Sequence, residues 1–253
     1  MQLSAAITAY ARFQEARGDA ASHRRDCARV LALLRQQLVG PELAEVTSDD
    51  LRDFMITVRQ RPGNNGHRPV TDATLCAYYR TLRAFFRWVQ ESGWIGRDPM
   101  RGVPKPKVGE YLIRPFSEEQ VKKLLAQPDP ETFTGLRDVT LMCFLLDTGC
   151  RISEALALTA EEWNLELRSA RVLGKGTKER VVPFGVTTRA WLDRYLERRK
   201  ESALTPYVFV NQYGERLTAS AMGHRFAAYG RQAGVRVSPH TFRHTFAVNW
   251  LRR

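Results

Sequence analysis

Along most of the chain, apolar residues recur at three- and four-residue spacing, the period that turns one stripe of a helix toward a core. Residues 3 to 17 carry the first such pattern, with Ile7, Tyr10, Ala11 and Phe13 near one face and Gly18-Asp19 closing it. From about Ser22 to Leu38 the stripe is Cys27, Val30, Leu31, Leu34 and Leu38, and Gly40-Pro41 stops it where an amide donor and helical geometry are both lost. Thr47 to Arg59 makes a third helix, capped by Thr47 or Ser48, and the glycine-rich Arg61 to Arg68 segment reads as a loop. Thr71 to Ser92 has the strongest pattern of this half. Leu75, Tyr78, Tyr79, Leu82, Phe85, Phe86 and Val89 keep the spacing, while Arg80, Arg83 and Arg87 share another side. Four helices and no strand predict a small all-α domain.

Between Asp98 and Pro115 come four prolines and two glycines, with Lys105 and Lys107 among them. Such a segment is expected to pack neither as helix nor as strand, and it divides the chain into a domain over 1–104, a linker over 105–114 and a second domain over 115–253. In the second part, Ser117-Glu118-Glu119-Gln120 reads as a capping box opening a helix to Ala126. Gly135 to Asp147 predicts a buried helix. Ser169 to Leu173 and Arg180 to Phe184 are short β-prone runs joined by Gly174-Lys175-Gly176-Thr177, a hairpin turn. Helices follow at about 187–200 and 218–233, with a short extended piece from Tyr207 to Val210 between them, and a last helix starts near Pro239. This half is α+β, mostly helical with one small sheet.

Charge changes the picture next. Lys and Arg outnumber Asp and Glu 39 to 27, a net +12, which suggests a polyanionic partner. Nucleic acid is the first candidate and an anionic membrane the weaker one, because the basic residues lie within patterned segments and form no amphipathic terminus. An Arg series such as Arg80, Arg83 and Arg87 is ordinarily a solvated face; in a chain this basic, phosphate contact is favoured. The first residues hold no apolar signal core, and no stretch reaches the roughly eighteen apolar residues of a membrane span, so a cytoplasmic protein is expected. Cys27, Cys76, Cys143 and Cys150 lack metal-ligand spacing and read as reduced core residues. Neither a zinc site nor a disulfide framework is expected.

Three stretches carry candidate chemistry. In Thr140 to Ala155 an apolar helical run from Leu141 to Leu146 stops at Asp147-Thr148-Gly149, and Arg151 follows almost at once, so its guanidinium is mounted on a core element. A rigidly held Arg suits bidentate phosphate recognition. Glu154 shares its face if a new helix starts at Ser153, and would orient it. The plainer alternative is a helix break with Gly149 as C-cap and a surface Arg-Glu pair. In the hairpin, Lys175 stands between two glycines with Lys178 and Arg180 just beyond, either solvent decoration or a mobile donor able to reach a phosphate or protonate a leaving oxygen. In His240-Thr241-Phe242-Arg243, one helical turn brings His240 and Arg243 to one face beside a helix start that favours an anion. The alternative is a surface His and Arg. His244 reads as packed and hydrogen-bonded.

Taken in order, Arg-Ile-Ser-Glu after an apolar helix, Gly-Lys-Gly-Thr-Lys-Glu-Arg on a hairpin and His-Thr-Phe-Arg-His-Thr-Phe-Ala resemble the tyrosine recombinases, or phage-integrase family. The resemblance covers the whole chain. It implies an N-terminal helical core-binding domain of SAM-like type, a linker and an α+β catalytic domain that together clamp double-stranded DNA, with a homotetramer on two recombination sites. It implies that Arg151 and Arg243 hold the scissile phosphate, that Lys175 is general acid toward the leaving 5′ oxygen, that His240 assists proton transfer and that Glu154 supports Arg151. Arg80, Arg83, Arg87, Lys105, Lys107, Lys178 and Arg180 become DNA contacts. No cofactor, metal or ATP is implied, since a 3′-phosphotyrosyl link preserves the phosphodiester energy.

The family's nucleophile is a tyrosine beyond the His-x-x-Arg helix, and this chain ends ten residues after Arg243. Tyr213 and Tyr229 precede the motif, so the expectation is a chain truncated before its nucleophile, able to bind DNA and unable to cleave it. A non-catalytic DNA-binding protein of the same fold is the other reading. A type IB topoisomerase shares the chemistry, but the core-binding pattern argues for recombination.

Overall fold

A computed structural model of the chain describes residues 1–38, 40–62, 69–109, 114–174, 178–199 and 205–251. It divides into two compact units, Met1–Tyr111 and Leu112–Arg253.

The first unit contains α1 (Leu3–Ala16), α2 (Ala21–Gln37), α3 (Ser48–Gln60) and α4 (Asp72–Glu91), with one-turn 3-10 helices at Leu43–Glu45 and Pro99–Gly102. Thr47 is the cap of α3: its Oγ1 accepts from Asp50 N and its own N–H donates to the Asp50 carboxylate, which satisfies two end groups reciprocally. Helix α4 is the pillar. Leu82, Phe85, Phe86 and Val89 are fully buried on it, and the Tyr10 ring of α1 meets Phe85 edge-on at 5.4 Å. Tyr78 is half-buried and Arg80, Arg83 and Arg87 face solvent, as the pattern predicted.

The proline-containing segment departs from expectation at its start. Pro99–Gly102 winds into a 3-10 helix, Met100 and Val103 are buried, and Ser48 Oγ and Arg52 Nε donate to the carbonyls of Pro99 and Gly102. Proline fixes only its own φ, and a first-turn position needs no amide donor, so a single helical turn tolerates it.

The second unit is built around α6 (Phe133–Thr148), preceded by α5 (Glu118–Leu125) and followed by α7 (Ile152–Ala155). Every residue of α6 from Gly135 to Leu145 is buried, including the adjacent charges Arg137 and Asp138. Those charges are compensated. Asp138 Oδ1 accepts from Arg137 Nε and Nη2, while Oδ2 accepts from Arg225 Nε at 2.6 Å and from Tyr229 OH at 2.9 Å. Arg137 Nη1 also donates to the carbonyl of Val210.

A three-stranded antiparallel sheet follows in the order β1 (Trp163–Asn164), β2 (Ser169–Leu173), β3 (Glu179–Pro183). Register pairs Ala170 with Val182 and Val172 with Arg180. The two-residue β1 has no readable period and was not expected, and β3 runs one residue earlier than predicted. Tyr207 to Val210 forms only isolated bridges, Thr159 to Tyr207 and Val210 to Arg216, in place of a continuous extended piece. The remaining helices are α8 (Val186–Arg199), α9 (Ala219–Ala233) and α10 (Pro239–Leu251). Asp147 ties the end of α6 to the start of α8, its Oδ2 accepting from Gly185 N at 2.7 Å and Thr188 Oγ1 at 2.6 Å. All four cysteines are buried and free, and burial pushes the thiols of Cys143 and Cys150 up to about 12 and about 11. No described helix is long and apolar enough to cross a membrane.

Helix α6 ends at Gly149 in the left-handed conformation, φ 56°, and there α10 comes so close that a Cβ would lie 2.2 Å from Phe246 Cδ1. Gly149→Ala should therefore destabilise the second unit by about 2–5 kcal/mol, backbone strain and overpacking together. Gly93, at φ 75° with open space around it, supplies the control for strain alone. Site-resolved hydrogen exchange in α6 and α10 checks the prediction; equal losses for Gly149→Ala and Gly93→Ala, each in its own unit, would refute it.

Candidate functional site: a carboxylate between two arginines

Arg151 lies in the two-residue gap between the αL cap of α6 and the first residue of α7, Ile152, one residue earlier than the expected helix start at Ser153. Its backbone N–H donates to Glu154 Oε2 and its Nη1 to Glu154 Oε1, both at 2.8 Å. The short helix thus locks the residue that caps its start. Glu154 is buried, with 5% of its side chain exposed, whereas 47% of the Arg151 side chain remains open to solvent.

The sheet supplies a second cation to the same carboxylate. Alternation along β3 turns Glu179, Val181 and Pro183 outward and Arg180 and Val182 inward, and Arg180 Nη2 reaches Glu154 Oε2 at 2.6 Å. Arg180, expected as a DNA contact on the hairpin, pairs with the carboxylate while 38% of its side chain stays exposed. The sequence signal was present in the apolar Val182 and Phe184 of its own face; the identity of its partner, 26 residues away, was not legible. Burial alone would raise the Glu154 carboxyl, but hydrogen bonds from Arg180 and from the Arg151 backbone and side chain overcome it and bring it down to about 2. The same hydrogen bond raises Arg180 further above its ordinary value.

Arg243 comes to this region from α10. Its Nη1 donates to the carbonyl of Gly149 at 2.8 Å, two residues before Arg151, satisfying one of the orphan acceptors at the α6 terminus. The helix is fixed from its other side: Phe116 N–H donates to Thr245 Oγ1 at 2.9 Å, and Phe242 packs between Phe116 and Phe226. His240 is exposed in the first turn of α10, three residues from Arg243. His244 is half-buried and makes no side-chain hydrogen bond among the described residues, contrary to expectation.

The structure thus joins Arg151, Glu154 and Arg180 directly and links Arg243 to them through Gly149. Lys175 lies outside the described residues. Lys178 is exposed, and its carbonyl accepts from Gly174 N–H at 2.8 Å, closing the base of the turn. In the first unit Arg80 and Arg83 are exposed, Arg87 is paired with Glu91 at 2.8 Å, and Lys105 and Lys107 are exposed beyond the 3-10 turn. No group of three or more metal-ligating side chains occurs among the described residues. Chemically, the site offers two partly exposed guanidinium groups on rigid supports, with one negative charge already neutralised behind them.

A mainly helical unit with a small antiparallel sheet, with Arg151 just past the end of α6 and Arg243 in the second turn of α10, defines an α+β domain. Comparison with known proteins gives the family: residues 114–253 match the phage integrase family, and the chain belongs to it. The tyrosine recombinase XerD of Pseudomonas aeruginosa is 38% identical over 176 residues, covering 67% of this chain and 59% of that protein. The Listeria monocytogenes XerD is 31% identical over 223 residues, covering 85% and 72%. The chain thus spans about three fifths of the Pseudomonas recombinase. Among solved structures, a lambda integrase dimer bound to a COC′ core site has a TM-score of 0.76 at 14% identity, covering 98% of this chain and 89% of that one. The Tn1549 transposon integrase in complex with circular intermediate DNA has a TM-score of 0.73 at 18% identity, covering 98% and 87%.

The Glu154 geometry gives the second unit an acid-sensitive stability. The folded carboxyl takes its proton only near pH 2, against 4.5 when unperturbed, so between these values the unfolded chain binds more protons. The contribution is complete above about pH 4.5 and is lost as pH falls toward 2. Glu154→Gln should be less stable than the parent at pH 6, with the gap closing across that window. Urea midpoints of the second unit, measured from pH 6 to pH 2.5, test this; a gap that stays constant with pH would refute it.

Proposed function

We propose that the chain is the DNA-handling part of a site-specific recombinase, whose reaction cleaves and rejoins strands through a 3′-phosphotyrosyl intermediate. The observation that carries this reading is the pair Arg151 and Arg243, the first held by Glu154 Oε1 and the second by the Gly149 carbonyl, each through a hydrogen bond of 2.8 Å. A phosphodiester attacked by an oxygen nucleophile gains charge on its non-bridging oxygens. Two guanidinium groups already fixed in place stabilise that charge without reorganising at the moment of reaction. In this reading Arg151 and Arg243 bind the scissile phosphate, Glu154 orients Arg151, Lys175 protonates the leaving 5′ oxygen, and His240 assists proton transfer.

The rest of the interface follows from charge. Exposed Arg80, Arg83, Lys105 and Lys107 on the first unit and Lys178 on the second supply phosphate contacts that give affinity and salt dependence with little sequence information. Because two modest surfaces on one chain raise each other's effective concentration, binding should need both units. Assembly into a tetramer on two duplexes belongs to the same proposal.

These 253 residues hold eight tyrosines, none of them after Arg243. Tyr229, the last of them, is spent on Asp138, and burial and that carboxylate raise its phenol above the ordinary value, making it a poor nucleophile. The 253-residue chain should therefore bind recombination-site duplex and form no covalent adduct with it. A duplex nicked near the cleavage point, followed by denaturing electrophoresis, decides this. An adduct from the 253 residues would overturn the tyrosine assignment. In an extended chain carrying a tyrosine beyond Arg243, adduct formation should appear, and Arg151→Ala or Arg243→Ala should slow it by a factor on the order of a hundred to a thousand with duplex affinity nearly unchanged. Adduct formation unaffected by either substitution would refute the phosphate-binding role.

A further inference from the structure

Arg180 has no part in the phosphate-binding roles above, yet its side chain sits where three features meet. Its Nη2 donates to Glu154 Oε2 at 2.6 Å, and its Nη1 lies 3.5 Å from Oε1, the oxygen that also receives Arg151 Nη1. It stands on β3 opposite Val172 of β2, one pair from the end of the ladder, where Leu173 faces Glu179. Just beyond that end, Gly174 N–H donates to the Lys178 carbonyl, and a Cβ on Gly174 would come within 3.1 Å of Arg180 Nη1 and 3.9 Å of Glu154 Oε1. The guanidinium thus lies directly against the base of the turn, where a side chain at position 174 would press on it.

We infer that Arg180 is a positioning residue: through Glu154 it ties the base of the β2–β3 hairpin to the Arg151 guanidinium, so that the two are set in one geometry. A surface arginine facing phosphate would leave its fork open. Here both nitrogens of the fork are turned toward a buried carboxylate, whose remaining acceptor sites are filled by the backbone N–H and Nη1 of Arg151 itself. The carboxylate is shared, so movement of the hairpin and movement of Arg151 are coupled through one rigid group. Its consequence for reaction rests on the functional reading above, since Lys175 follows Gly174 in the sequence. The tie itself does not.

The test uses the 253-residue chain labelled for NMR, with Arg180→Gln and Arg180→Lys, and Arg171→Gln as the control on the outer face of β2. Arg180→Gln should move the Glu154 carboxyl titration upward by at least one pH unit and speed exchange of the Gly174 amide at least tenfold. Exchange of the Ala170 and Val182 amides, within the ladder, should change less than threefold. Arg180→Lys should keep most of the low titration, because the charge remains, and lose the Gly174 protection, because a single ammonium cannot fill a forked site. Arg171→Gln should change neither. Unaltered Gly174 exchange and Glu154 titration in the glutamine variant would overturn the inference. So would a uniform loss of protection through the sheet, which marks a merely structural side chain; should the glutamine variant fail to fold, the split between the two readouts in Arg180→Lys decides alone. Failure of the functional reading would show elsewhere, as absence of duplex binding by the unsubstituted chain, with the Arg180 responses intact.

Discussion

A carboxylate buried among apolar groups keeps its charge only if its lone pairs are occupied by donors, and at Glu154 those donors are the instrument by which the second unit is organised. Four N–H groups from two arginines converge on it. One set comes from the first residue before α7, so the chain leaving the core helix is fixed in direction. The other comes from β3, so the sheet is fixed to the same point. Neither arginine is buried itself, which keeps the desolvation penalty on the single acid, while the outer edges of the guanidinium groups remain available to an anion.

The second constraint is at the opposite end of α6. Burying Arg137 and Asp138 side by side is tolerable only because Asp138 is fully surrounded by donors from α6 and α9, and removing one partner of such a buried pair typically costs about 3–5 kcal/mol. The helix is thus pinned near its start by ions and at its end by the glycine cap, with Asp147 holding α8 between them. A helix without a solvated face has no freedom to rotate, since any rotation would expose apolar surface or strand a charge. Arg151 inherits that rigidity.

What could be read from the sequence follows from how local each cause is. The helices were legible because their apolar stripes repeat every three or four residues, and the Ser117 and Thr47 caps because both partners lie within one turn. The pair Arg151 and Glu154, and the shared face of His240 and Arg243, were legible for the same reason. The tie of Arg180 to Glu154 and that of Arg243 to Gly149 span 26 and 94 residues, and their partners are chosen by packing, which a single sequence does not display. Strand β1, two residues long, has too few positions to show alternation, and the 3-10 turn at Pro99 was obscured by prolines that usually signal irregular chain.

The placement of the cations follows one physical rule. Arg151 stands at the start of a helix, Arg180 at the mouth of a hairpin and Arg243 in the second turn of α10, so none is supported by its own element alone. Each is instead held by an acceptor from elsewhere or by a neighbour one turn away: the Glu154 carboxylate for two of them and the Gly149 carbonyl for the third. An unfolded or partly folded chain has the same three charges with none of the geometry, and would meet a polyanion through diffuse attraction only. Folding gives each of the three guanidinium groups a fixed place. Since like charges repel one another most strongly where water is excluded, a buried carboxylate among them is the condition that lets them sit close together.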